Sequence, residues 1–211
     1  MTGAKRARWR LSAALVLLSG IPGCQTASSR LAAGAGLDEG PTRWLMLSDE
    51  MQQARKLRTT REAVDFIEAF WKRRDPDPGT PGNEFSKIFY ERVEAADRLY
   101  PEEGVRGSLT DRGRALILLG APPVLRYSQK KVPAWDPGSR PGGPPAVQTH
   151  LMSLESWVYT AADLSPSLQK LLAEEDPRPE VVLVFVVDPR HTYLTEGEKY
   201  LEMAARAAVR E

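Results

Sequence analysis

The sequence has little of what most catalytic chemistry requires. It holds one cysteine, Cys24, and two histidines, His150 and His191, in 211 residues. One cysteine excludes an internal disulfide and any multi-cysteine metal site, and the two histidines lack metal-ligand spacing. No nucleophile elbow of the Gly-x-Ser-x-Gly type, no phosphate loop and no dinucleotide fingerprint is present. Carboxylates are plentiful, but no spacing singles out a pair. No catalytic residue, metal or cofactor is therefore expected. Neither sign of charge dominates: Lys+Arg is 29 and Asp+Glu is 28, for a net +1. Nucleic-acid binding needs a basic face, so no nucleic-acid partner is expected. Long apolar runs are missing too. Residues 11–21 (LSAALVLLSGI) fall far short of the ~20 apolar residues of a membrane-spanning helix. What remains is a 42% hydrophobic composition, enough for a folded core of one ordinary domain.

The short apolar run follows a basic start (Lys5, Arg6, Arg8, Arg10), the pattern of a secretory signal. It ends in Ile21-Pro22-Gly23-Cys24, which resembles the bacterial lipoprotein box. The resemblance implies cleavage before Cys24 and lipidation of its thiol and new amino terminus; the alternative is an ordinary signal with a chance cysteine. Removing residues 1–23 takes away four basic and no acidic residues, leaving 25 against 28 and a net charge of −3. Acyl chains contribute about 0.8 kcal/mol per buried CH₂, so several chains on one cysteine make a durable membrane anchor. Gln25 stands where aspartate would resemble an inner-membrane retention signal. In a Gram-negative host the expected address is the outer membrane, facing the periplasm.

Residues 24–42, rich in Ala, Gly and Ser, read as a flexible tether spanning on the order of 20–25 Å. Residues 43–211 read as an α+β domain, with N-terminal helices packed on a small antiparallel sheet and a helix at the C-terminus. Ser48 is expected to cap a short helix over 49–57, and Thr59 with Glu62 fits a capping box for the next. Ala63, Ile67, Phe70 and Trp71 fall on one face of that helix. Its end is expected near Arg74, before the stiff loop 75–82 (DPDPGTPG). Asn83 caps a third helix, whose apolar face carries Phe85, Ile88, Phe89, Val93, Ala96 and Leu99. Thr110-Asp111 suits a helix start, a capping hydroxyl followed by a carboxylate at the positive dipole end, with Gly120 and Pro122 at the stop. The apolar run after Asp111 also fits a buried strand, and periodicity does not decide between them. Strands are expected at 124–127, 154–159, 181–187 and, as an edge, 191–194. A short helix capped by Ser165 is expected to run through 173, and a last helix spans 198–209. The stretch 132–145 (VPAWDPGSRPGGPP) reads as an extended loop in which Trp135 is either a packing anchor or an exposed contact.

Several short motifs occur in order: Phe66-Ile67-Glu68-Ala69-Phe70-Trp71, Arg74-Asp75-Pro76, Asn83-Glu84-Phe85, Thr110-Asp111-Arg112-Gly113-Arg114, and Gly120 before Pro122-Pro123. Residues 155–159 (ESWVY) and 184–188 (VFVVD) follow. Together they resemble the GWxTD-domain family of bacterial proteins over residues 44–194. One departure stands out: the signature Gly-Trp-x-Thr-Asp reads Gly107-Ser108-Leu109-Thr110-Asp111. The resemblance locates the protein without implying a reaction. The order of elements is also similar, at the level of pattern alone, to small outer-membrane lipoproteins of the BamE/SmpA type.

The strongest polar cluster, at helix ends beside loops, is Arg74, Asp75, Asn83, Asp111, Arg112 and Arg114, with Arg73 adjoining. It reads either as capping and ion-paired support or as an anion pocket, since arginine presents a rigid bidentate fork. Arg74 and Arg112 are expected to approach one loop. The leading expectation is a non-catalytic envelope protein, anchored in the membrane through lipidated Cys24 and binding a protein partner. An enzyme acting on envelope polysaccharide or peptidoglycan, and a carrier of a small amphiphile, are the alternatives.

Overall fold

The computed structural model describes residues 37, 39–135, 147–188 and 190–209. The signal segment, Cys24 and most of the tether lie outside them. Among the described residues there are six helices, α1 (Ser48–Ala54), α2 (Thr60–Lys72), α3 (Glu84–Leu99), α4 (Asp111–Leu119), α5 (Pro166–Glu175) and α6 (Glu198–Ala207). The strands are β1 (Val124–Trp135), β2 (Val147–Thr160), β3 (Glu180–Val187) and β4 (Thr192–Glu196), paired antiparallel in the order β1-β2-β3-β4. The fold is α+β, and no described helix is long and apolar enough to cross a membrane.

The expected caps form. Thr59 Oγ1 accepts from the Glu62 N–H at 3.2 Å while Glu62 returns a carboxylate to the Thr59 N–H at 3.0 Å, a reciprocal cap in which the hydroxyl alone stabilises by about 1 kcal/mol. Asn83 Oδ1 accepts from Ser86 N–H at 2.8 Å, and its amide donates to the Trp71 carbonyl at 2.7 Å, tying the end of α2 to the start of α3. Helix α1 differs from expectation. Its cap position is Leu47, and Ser48 is already helical; the Leu47 N–H is satisfied by the Glu50 carboxylate at 2.9 Å.

Residues 111–119 are helical, which settles the open choice. Thr110 Oγ1 accepts from Gly113 N–H at 3.1 Å. Gly120 ends the helix at φ +87°, where a side chain would be strained. The Arg92 guanidinium donates to the Ile117 carbonyl at 3.0 Å, a cation at the negative end of the helix.

One core lies between the helices and one face of the sheet. It takes alternate residues from β2 and β3 (Trp157, Tyr159, Val181, Leu183, Phe185), and Phe66, Ile67, Phe70, Phe89, Val93 and Leu116 from α2, α3 and α4. Two members of the expected α3 stripe fail to reach it: Ile88 and Leu99 are 45% and 57% exposed. They sit at the margins of a stripe wider than the layer it faces. Two boundaries also move. The tether ends sooner than expected, because Leu37 packs on the core, residues 41–44 form a 3₁₀ turn, and buried Thr42 donates to the Leu37 carbonyl at 3.2 Å. The loop expected from 132 begins later, since β1 continues through Pro133 to Trp135 opposite Val147; residues 136–145 and the Trp135 side chain lie outside what is described.

Candidate functional site

The segment between α3 and α4 is built on two close approaches. A Cβ at Gly107 would lie 1.9 Å from the Ala96 carbonyl oxygen, and one at Gly113 would lie 1.7 Å from that of Gly107. Only glycine lets these backbones touch. Thr110 locks the knuckle by donating to the Gly107 carbonyl at 2.8 Å. Ser108, fully buried, donates its N–H to Asp97 Oδ1 at 2.8 Å and accepts the Trp44 indole N–H at 2.9 Å on its carbonyl. Burial pushes the Asp97 carboxyl up, but the Ser108 N–H and the Arg106 guanidinium outweigh it and hold Asp97 below the usual carboxylate range. Residues 39–136 match the family model of the GWxTD domain. The chain carries a GWxTD domain. No curated protein and no solved structure matches it, so the looser likeness to BamE/SmpA-type lipoproteins has no support. The matched span starts earlier than the motifs alone suggested and stops before the ESWVY and VFVVD segments.

In GWxTD terms, Ser108 occupies the signature tryptophan position. An indole still meets this segment, supplied by Trp44, whose ring lies under the guanidiniums of Arg43 at 3.9 Å and Arg114 at 5.0 Å. The signature Asp111 does more than face the helix dipole: its Oδ2 accepts the Leu194 N–H of β4 at 2.7 Å.

The remaining members of the polar cluster are dispersed. Arg74 is fully buried and forks onto Glu50, with 2.6 and 3.0 Å bonds, while also donating to the Leu45 and Phe70 carbonyls at 2.8 and 3.1 Å. Arg73 reaches the same carboxylate at 2.6 Å. Asp75 accepts from the Asp77 N–H at 3.2 Å, a local turn bond. Asn83 is the α3 cap already described, and Arg114 pairs with Glu198 of α6 at 2.7 Å. Arg112 has different company: Glu155 at 3.6 Å, Glu102 at 4.0 Å, and the Tyr100 ring at 5.1 Å. Arg74 and Arg112 thus have no partner in common and do not meet at one loop.

The arrangement around Arg112 is the candidate site. Glu155 is buried on β2, directly across from Tyr127 of β1, and accepts the Trp157 indole N–H at 2.5 Å. Glu102 accepts the Thr192 N–H at 3.0 Å. Burial raises the Tyr100 phenol above its ordinary value, the Glu155 charge adds to this, and Arg112 opposes it. Two open pockets flank the group. One, of about 460 Å³, is lined by Tyr127, Gln129, Ser153, Glu155 and Val187. The other, of about 290 Å³, is lined by Glu102, Glu103, Arg112, Asp188, Arg190 and His191. Of this group, sequence reasoning found only Arg112. Glu155 carried a signal that it left unused: a carboxylate in the same alternating phase as buried Trp157 and Tyr159 needs a partner.

The chemistry available here is recognition by charge and hydrogen bonding, with aromatic walls. The Ser-x-x-Lys spacing of some acyl-transfer enzymes does occur twice, at Ser128/Lys131 and Ser167/Lys170. The first pair points to opposite faces of β1. Neither pair is joined by a hydrogen bond among the described residues, so neither forms a nucleophile and its base.

Proposed function

We propose that the protein is a lipid-anchored component of the cell envelope, held through Cys24, whose α+β domain binds another protein and performs no catalysis. In a Gram-negative host it would face the periplasm from the outer membrane. The reading is supported by exposed apolar side chains on one face of the β1–β2 hairpin: Tyr127 and Leu151 at 71% and 61%, with Leu125 at 45%. Clustered exposed apolar side chains on a folded surface mark an interaction site more often than a scattered few do. The polar cluster adds support of another kind, because Arg74, Asn83, Asp111 and Arg114 are each occupied in holding elements together. Crosslinking the lipidated protein in intact cells and purifying it from detergent tests the proposal. A specific, recurring partner is the expected result; repeated recovery of the lone chain would reject it. Replacing Cys24 by serine tests the anchor, and unchanged fractionation with membranes would reject that part.

One observation favours a second reading, an enzyme acting on envelope polysaccharide. Glu102 and Glu155 face one arginine between two pockets, and glycoside chemistry uses paired carboxylates about 5–10 Å apart. Both carboxylates already accept N–H donors of the protein, which weighs against it. Unchanged activity on cell-wall polymers in a Glu155→Gln variant would remove this reading. The carrier alternative finds a pocket between α3, α4 and α5 of only about 280 Å³, at the small end for ligand cavities, with Arg92 and Asp163 among its apolar lining.

A further inference from the structure

The two edges of the sheet are finished differently. At β4 the outward amides of Thr192 and Leu194 are both taken, by the carboxylates of Glu102 and Asp111 at 3.0 and 2.7 Å. The register carries this phase across the sheet. In an antiparallel pair, residues that do not bond to one neighbour turn their N–H and C=O to the other side. Leu194 lies opposite Phe185 and turns away from it, so Phe185 bonds to Glu155; Glu155 in turn lies opposite Tyr127 without bonding to it. Tyr127 therefore points its N–H and C=O out of the sheet, and so do Leu125, Gln129 and Lys131. Pro133 falls in the same phase, where its missing N–H costs no ladder bond. Among the described residues, no hydrogen bond from outside the sheet reaches β1.

This open edge is also long and of one charge. β1 runs for 12 residues, against a common strand length of about 5–6. It carries Arg126, Lys130 and Lys131 and no acid. Exposed edges are usually shortened or covered because they template further pairing. Here only the other edge is covered. A second copy of β1 would add three like charges to the three already there. The matching occupant is an extended segment of another protein that alternates apolar and acidic residues, apolar beside Leu125 and Tyr127, acidic beside Arg126 and Lys130.

We propose that the outer edge of β1 is a strand-addition site for an extended, acidic segment of a protein partner. The proposal rests on the protein-binding reading above and names its surface. The probe is a blocked, fluorescent peptide of alternating valine and glutamate, added to the full lipidated chain in detergent. Binding is expected, with hydrogen exchange slowed about tenfold or more at the amides of Leu125, Tyr127, Gln129 and Lys131. Gln129→Pro, which removes an outward donor, and the double charge reversal K130E/K131E should each weaken binding about tenfold or more. No binding by the wild type, or binding as tight as the wild type's by either folded variant, overturns the proposal. Should Gln129→Pro fail to fold, the charge reversal of two exposed side chains decides alone. In cells, a crosslinked partner recovered equally by wild type and K130E/K131E would reject the edge while leaving protein binding in place. Recovery of no partner by either would reject protein binding, and the peptide titration would still decide the edge.

Discussion

Arg74 and Arg112 look alike in the sequence, each at a helix end with acids nearby, yet the fold uses them in opposite ways. Arg74 is fully enclosed, forks onto Glu50 and spends its two terminal nitrogens on a carboxylate and two carbonyls within 3.1 Å, with its guanidinium 3.8 Å over the Phe70 ring. Arg112 keeps a fifth of its side chain exposed and meets its carboxylates only at 3.6 and 4.0 Å. The Nε of each is buried without a hydrogen-bond partner among the described residues, so the difference lies in the terminal nitrogens. A buried ion pair is tolerated when geometry and extra hydrogen bonds offset desolvation. Arg74 meets that condition and closes α1 onto α2. Arg112 does not, and it lines an open pocket of about 290 Å³. The difference separates a cation that holds the fold from one available to a ligand.

The comparison breaks most visibly at Glu50. Glu50→Ala leaves two guanidiniums without their acid, one of them fully buried, and should cost about 3–5 kcal/mol in denaturant unfolding. Arg74→Met with Glu50→Leu should restore part of that, because an apolar pair replaces the charge without orphaning it. A loss below about 1 kcal/mol for Glu50→Ala would mean that the pair contributes little and the contrast with Arg112 is false.

A smaller effect is expected at Asp111. Asp111→Ala removes the acceptor for the Leu194 amide and should cost about 1–3 kcal/mol, with exchange at that amide faster than at the inner amides of β3. Asp111→Asn, which keeps an acceptor, should recover most of it. If Leu194 exchanges no faster in the alanine variant, the acid does not close this edge. Smaller still is Arg112→Gln. Its ion pairs are long, but the variant leaves the buried Glu155 carboxylate with the Trp157 indole alone, which predicts a loss of about 1–2 kcal/mol. A loss as large as that of Glu50→Ala would place Arg112 among the structural cations and remove the candidate site.

Much of the fold was legible before any coordinates. Thr59, Asn83, Thr110 and Ser165 cap the helices they were expected to cap, because a cap is a contact among neighbours in sequence. The β-branched run of β3 likewise announces an interior strand. What could not be read depends on distance along the chain. Glu50 lies 24 residues from Arg74, and Leu194 lies 83 from Asp111; nothing local distinguishes these partners from other acids and amides. The length of β1 was hidden by Pro133, which reads as a strand breaker unless its outward phase is known. The dispersal of the polar cluster follows from the same cause. Its members were grouped by shared chemistry at helix ends, and tertiary packing then gave each a separate partner.

The smallest expected effect concerns a surface counterpart of the Arg74 clamp. Asp176, at the end of α5, meets Lys199 at 2.7 Å, Arg178 at 2.8 Å and the Tyr200 hydroxyl at 3.1 Å, fastening α5 to α6. Lys199 foremost, then Arg178 and Tyr200, hold the carboxyl at about 2, against burial that would raise it. An unfolded aspartate titrates near 3.9. A carboxyl lowered on folding stabilises fully above the unfolded value and loses that contribution as pH falls towards the folded one. The melting temperature should therefore decline between about pH 4 and pH 2. Asp176→Asn should lower it at neutral pH and make the acid decline shallower, without abolishing it, since Asp97 is also held low. Added salt should shrink the Asp176 effect and leave the Glu50→Ala loss nearly intact, because screening reaches exposed pairs first. Equal salt sensitivity of the two would mean that burial does not distinguish these clamps.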